Sequence, residues 1–263
     1  MPILKLISSN TNFKFMRFKR TTMIASILFF LVSCLSIFVQ GLNFGIDFTG
    51  GSLIEVRSTS DKINLNHLRK DLNKLNIGEI QLQTIGSDRD IAIRIQKRED
   101  GQENQSAVIN QIKKSLSDLE IEFRRVEYVG PKVGKELVNA GIMAVLFSLI
   151  GILIYIWLRF EWHFAVGAII ALIHDVFLTI GFFSIFQFEF NLATVAAVLT
   201  IAGYSINDTV VIYDRIREMN RKYKETILEE IINLSLNSTL SRTLMTSLTT
   251  LLALLALFIF GGN

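Results

Sequence analysis

The chain has 263 residues, half of them hydrophobic, and a mean hydropathy of +0.42. Its formal net charge is +3, and it holds one cysteine, Cys34, and two prolines. This composition excludes an ordinary soluble domain, a disulfide framework and a cysteine-based metal site, and it suits long unbroken helices.

Residues 1–21 are polar and basic, with Phe13, Phe15 and Phe18 interleaved. They read as a cytoplasmic basic tail, with an interfacial amphipathic segment as the alternative. An apolar run follows at Thr22–Val39, within a first transmembrane segment, 22–40. A basic start before an apolar run imitates a signal peptide. No A-x-A site follows, so the run is expected to be an uncleaved anchor. Next comes Gly45–Gly51, GIDFTGG. Its glycines and aspartate predict a tight structural turn. The alternative, a phosphate cradle, lacks the G-K-[ST] continuation.

The hydrophilic insert, 41–137, alternates regularly. Ser52–Arg57 is strand-like, and Asn64–Leu75 carries Leu65, Leu68, Leu72 and Leu75 on one helical face. Glu79–Ile85 and Asp90–Gln96 alternate as strands, with Ile91, Ile93 and Ile95 on one side and Arg94 and Gln96 on the other. Glu103–Leu119 is helical and Ile121–Val129 strand-like. The order β-α-β-β-α-β predicts a small ferredoxin-like domain, two helices on one sheet. It holds no catalytic cluster. His67 is expected on its surface.

Four more apolar runs complete the chain within 138–260: Val138–Leu158, Phe164–Phe186, Leu192–Tyr213 and Thr243–Phe260. Each is long enough to span a bilayer. Trp157 and Trp162 flank the second turn as an interfacial belt, and His163 belongs there too. The stretch 215–237 is expected as a charged cytoplasmic loop, with Glu218–Asn237 a charged turn and then an amphipathic lead-in carrying Ile227, Leu228, Ile231 and Leu234. Lys14, Arg17, Lys19 and Arg20 precede the first span, Arg159 follows the second, and Arg215, Arg217, Arg221, Lys222 and Lys224 follow the fourth. By the positive-inside rule these ends are cytoplasmic and the insert lies on the opposite side. No RNA-binding motif accompanies the basic residues, so a nucleic-acid partner is not expected. The fold class is thus an α-helical membrane protein with five readable transmembrane helices and an inserted α+β domain.

Asp208 lies inside the fourth run, and a carboxylate there costs about 2.5–3.5 kcal/mol on insertion scales. Arg242 opens the fifth run at a matching chain distance from the link between the two. In an antiparallel pair the two groups reach similar depth, so they either neutralise each other statically or exchange that pairing for a proton. His174 and Asp175 sit mid-way along the third run, a secondary relay or a local hydrogen-bonded pair. Ala193, Ala196, Ala197, Ala202, Gly203 and Ser205 give the Asp208 helix a small-residue surface for close packing.

GIDFTGG, VGPKVGKEL, HDV, GYSINDTVVIYDRIRE and LSRTLMTS resemble the SecF family over almost the whole chain. Those proteins are membrane subunits of the bacterial SecDF complex, within the resistance-nodulation-division superfamily. The resemblance implies a SecD-like partner, a SecYEG channel beside it, lipid around it and a translocating preprotein as client. It implies the inner membrane, with the insert periplasmic. It also implies use of the proton motive force at a late stage of export, with Asp208 and Arg242 as the proton-coupling residues. No cofactor, metal or enzymatic activity is implied. The family has six spans, so residues 261–263 are read as a truncated end. Two other readings stay open: half of a proton-driven small-molecule efflux transporter, and a non-transporting membrane scaffold.

Overall fold

A computed structural model describes residues 11–59, 65–75, 77–85, 87–96, 105–116 and 121–260. The start of the expected tail, the expected end 261–263 and both ends of the helix expected at Glu103–Leu119 lie outside the described residues. The chain divides into two compact units. One takes the N-terminal stretch up to Gly41, Leu149–Phe186 and the chain from Ala197 onward; the other takes Leu42–Ser148 and Gln187–Ala196.

Among the described residues, five helices are long and apolar enough to cross a membrane. They are α1 (Lys19–Gln40), α5 (Pro131–Arg159), α6 (Trp162–Phe186), α7 (Leu192–Lys222) and α8 (Leu228–Phe260). A spanning segment must satisfy its backbone internally, and these uninterrupted apolar runs do so as helices. Pro131 stands at the first position of α5, where its missing N–H costs nothing. α1 and α6 approach closely through small residues. Ser33 lies where a Gly181 side chain would project, and the Ser36 and Ser184 hydroxyls are 2.9 Å apart. The Ser184 hydroxyl also lies 2.8 Å from the Gly41 carbonyl. A second cluster joins α5, α6 and α7 through Ile156, Phe160, Ala165, Ala168 and Ile206, flanked by Val210 and Tyr213.

The segment expected as a loop, 215–237, is largely helical. α7 runs on to Lys222 and α8 begins at Leu228, leaving 223–227 between them. Arg, Glu, Lys and Met are good helix formers, so the helices continue past the point where hydropathy falls. The described part of the tail is also held against α8. The Asn233 and Asn237 side chains of α8 accept hydrogen bonds from the Met16 and Phe13 amides at 3.0 and 2.9 Å. Lys19 pairs with Glu229 at the same end.

The second unit contains β2 (Gly51–Ser58), α3 (Leu65–Lys74), β3 (Glu79–Ile85), β4 (Ser87–Gln96), α4 (Gln105–Ser115) and β5 (Ile121–Val129). The sheet order is β3-β4-β2-β5, antiparallel throughout, which is the β-α-β-β-α-β arrangement expected. Ile54, Val56, Ile91, Ile93 and Ile95 meet Leu68, Leu72, Ile112 and Leu116 of the two helices in one core. His67 is exposed and pairs with Asp71 at 2.8 Å.

The other sheet face is covered too. GIDFTGG forms a single helical turn, α2 (Ile46–Thr49), rather than a plain turn. Ile46 packs on Leu53, Ala92 and Val129. Gly50 and Gly51 close the motif at φ +70° and +118°, where side chains other than glycine are strained. Beside it, β1 (Asn43–Phe44) pairs in parallel with β6 (Glu189–Phe190), the link between α6 and α7.

Candidate functional site

Four polar side chains inside the spans form a connected set. His174 Nε2 is 2.7 Å from the Ser26 hydroxyl of α1, and His174 Nδ1 is 3.0 Å from Asp175 Oδ1. The other carboxylate oxygen of Asp175 accepts from the Ser205 hydroxyl of α7 at 2.6 Å. A neutral imidazole with its proton on Nδ1 satisfies this arrangement, donating to Asp175 and accepting from Ser26. The Phe30 ring stacks over His174 at 6.2 Å between centroids. Three helices are thus tied by one hydrogen-bonded chain. Sequence reasoning found His174 and Asp175 and missed their serine partners. Only helix azimuth distinguishes Ser26 and Ser205 from the other hydroxyls in these runs.

Asp208 follows Ser205 by three residues on α7, which places both on the same side of the helix. The packed stripe Ile206, Val210 and Tyr213 faces α5 and α6. Asp208 is about 200° round the helix from Ile206, at about 100° per residue. It is half-buried and shares a stripe with Val211 and Arg215 at i+3 and i+7.

That stripe leads into a cavity of about 370 Å³ between α7 and α8. It is lined by Val211, Asp214, Arg215, Glu218, Ser238, Thr239 and Arg242. Arg242 therefore shares this cavity with α7 residues that follow Asp208, and Asp208 itself is not in its lining. Among the described residues no hydrogen bond or ion pair joins Asp208 to Arg242. The carboxylates near Arg242 are already engaged. Asp214 pairs with Arg159 and, at 3.5 Å, with Arg217, and Glu218 pairs with Arg215 at 2.6 Å. Arg215 Nε also donates to Ser238 of α8 at 2.9 Å. Among the described residues no group of three His, Cys, Asp or Glu side chains could hold a metal.

The family model described as the C-terminal part of the protein export membrane protein SecD/SecF matches residues 108–263. The protein translocase subunit SecF of Rickettsia rickettsii is 51% identical over 263 residues, covering 99% of this chain and 84% of its own length. The chain belongs to the SecF family of protein translocase subunits. SecF of Rickettsia prowazekii is 50% identical over the same span, also with 84% of its length covered. A second model, the SecD/SecF GG motif, matches residues 35–62 and so contains Gly50 and Gly51. The crystal structure of SecDF from Thermus thermophilus, a translocon-associated membrane protein, superposes with a TM-score of 0.85 at 36% identity. The match covers 97% of this chain and 35% of that one, so this chain spans about a third of the SecDF polypeptide. A second SecDF crystal structure, described as the super-membrane-facing form, gives a TM-score of 0.63 at 33% identity.

Proposed function

We propose that this chain couples the proton motive force to the late stage of preprotein movement across a bacterial inner membrane. It does so with a SecD-like partner beside a SecYEG channel. Asp208 is the carrier of the coupling proton, Arg242 its electrostatic counterpart, and the His174–Asp175 pair a secondary relay. The basic flanks of α1 and α7 support a cytoplasmic N-terminus and a periplasmic position for the ferredoxin-like domain.

The observation that carries this reading is the placement of Asp208 on the stripe that enters the Arg242 cavity, without an ion pair between them. A carboxylate locked to a guanidinium resists protonation. One held a turn away can take and release a proton without breaking a desolvated pair. One charge moved across 100 mV carries about 2.3 kcal/mol. That exceeds the roughly 1.4 kcal/mol that changes a two-state ratio tenfold. A helix packing that senses the charge on Asp208 can therefore be biased by each proton taken up.

A partner half is supported by α8. Ser241, Ser247 and Thr249 are exposed in this chain although they lie in or at the start of an apolar span. Polar groups in a bilayer normally face other protein, so this surface suits a second helical half.

Vesicles containing the channel, the SecD-like partner and this chain test the reading. Asp208→Asn is expected to abolish the benefit that a proton gradient gives to late export, while the complex stays assembled. A persistent benefit in an intact complex would make Asp208 a packing residue and favour a scaffold.

A further inference from the structure

The GIDFTGG motif has no role in proton coupling as described so far. Its contacts converge on the link between α6 and α7. Asp47 Oδ2 accepts from the amide of Leu192, the first residue of α7, at 3.0 Å. Asn191 caps the same helix end through the Thr194 amide at 2.9 Å. Gly45 donates from its amide to the Phe190 carbonyl at 2.9 Å. A Cβ on Gly45 would lie 2.5 Å from Glu189 Oε1, so only glycine lets this carboxylate sit there.

Glu189 is held by the domain itself. Arg94 of β4 is buried at 6% exposure on the sheet face that strand alternation assigns to water. One of its guanidinium nitrogens pairs with Glu189, and another donates to Asn43 Oδ1 at 2.9 Å. Asn43 in turn donates to the Gln187 carbonyl at 2.9 Å. The Nε of Arg94 is buried without a hydrogen-bond partner. A buried guanidinium with an unsatisfied donor disfavours the fold unless its carboxylate partner stays in place. Residues Gln187–Ala196, including the first residues of α7, accordingly group in the same compact unit as the inserted sheet. α7 itself continues unbroken to Asp208, about 18 Å further along its axis from Ala196.

We propose that Arg94, Glu189 and the GIDFTGG motif form a closed clasp that makes the outer end of α7 and the exported sheet one mechanical piece. Displacement of the Asp208 helix is thereby delivered to the periplasmic domain. Arg94 and Glu189 act as positioning residues. They neither carry the proton nor touch its carrier. The inference rests on the coupling role proposed for Asp208.

The test uses the full chain in vesicles with its partner and channel and reads two quantities: gradient-driven proton uptake and gradient-stimulated export. Arg94→Ala and Glu189→Gln are expected to keep proton uptake and lose the stimulation of export, an uncoupled phenotype. Asn43→Cys/Glu189→Cys joins positions opposite each other in the β1–β6 register. It is expected to be uncoupled when reduced and to regain stimulated export when oxidised, because the disulfide replaces the clasp. Stimulated export at the wild-type level in Arg94→Ala would overturn the clasp, as would an oxidised double variant that stays uncoupled. Asp208→Asn separates the two claims. If it leaves proton uptake and export unchanged, the coupling role of Asp208 fails, while uncoupling by Glu189→Gln would still stand as an independent result.

Discussion

Asp208 and Arg94 are charged groups withdrawn from bulk water by different means. Asp208 was legible from the sequence because a carboxylate within an apolar run is costly enough to demand a reason. Arg94 was not. Strand alternation says which residues share a face and is silent on whether that face is covered, and α2 with the β1–β6 ladder covers this one. Chain distance puts Asp208 and Arg242 at similar depth, but Arg242 lines a cavity with residues after Asp208, and among the described residues no direct pair joins the two. Chain distance fixes depth along a helix and leaves the side-chain geometry across the gap undetermined. A second carboxylate, in the sheet of the inserted domain, allows a pH test. Arg57 hydrogen-bonds Asp90, with Nη2 at 2.7 Å from Oδ2, and Ser87 also donates to it. Those bonds, against some opposing burial, hold the Asp90 carboxyl down at about 2. An unfolded aspartate titrates near about 3.9, so the lowered folded value adds stability above that pH. That contribution is lost as pH falls from about 4 to about 2. Hydrogen exchange along β2 and β4, normalised to unfolded-chain rates, should therefore show protection falling over this range in the wild type. In Asp90→Asn, protection should be lower at pH 5 and should change less on acidification. An equal acid response in both proteins would remove Asp90 from the account.

Among the elements, α1 and α6 offer the plainest case of close packing in lipid. Their approach depends on Gly181 beneath Ser33 and on the Ser36–Ser184 hydroxyl contact. Small residues matter here because apolar burial gives no preference for protein over lipid tails. Gly181→Leu is expected to destabilise the bundle by about 1–3 kcal/mol through overpacking, read as a lower midpoint in detergent unfolding. Ser33→Gly in the same chain should recover part of the loss, since it removes the atoms that clash. No recovery would mean that the two helices do not meet at this point. The β-α-β-β-α-β insert was readable because its apolar residues keep period 2 in the strands and helical spacing in α3. The start of α8 was readable as an amphipathic lead-in, and the extension of α7 to Lys222 was not. Charged residues lower hydropathy and so imitate a loop, while their helix propensity keeps the chain helical. The GIDFTGG glycines were read as a turn, and α2 shows a capped helical turn whose aspartate reaches 145 residues along the chain to the start of α7.

Across the molecule, α7 joins three functions along one axis. Its N-terminal end is hydrogen-bonded to the GIDFTGG motif, its middle carries Asp208 beside the Ser26–His174–Asp175–Ser205 chain, and its C-terminal part borders the Arg242 cavity. The SecF family assignment and the polar surface of α8 both point to a partner half that closes this arrangement. The central claim is that Asp208 carries the coupling proton, and proton movement itself tests it most directly. Sealed vesicles holding the complex, loaded with a pH-sensitive dye, would be given an inward proton gradient while a preprotein is being exported. The account predicts proton entry that depends on the translocating chain in wild type and disappears in Asp208→Asn with the complex intact. Entry at the wild-type rate in Asp208→Asn would contradict it and leave the membrane carboxylate with a packing role alone.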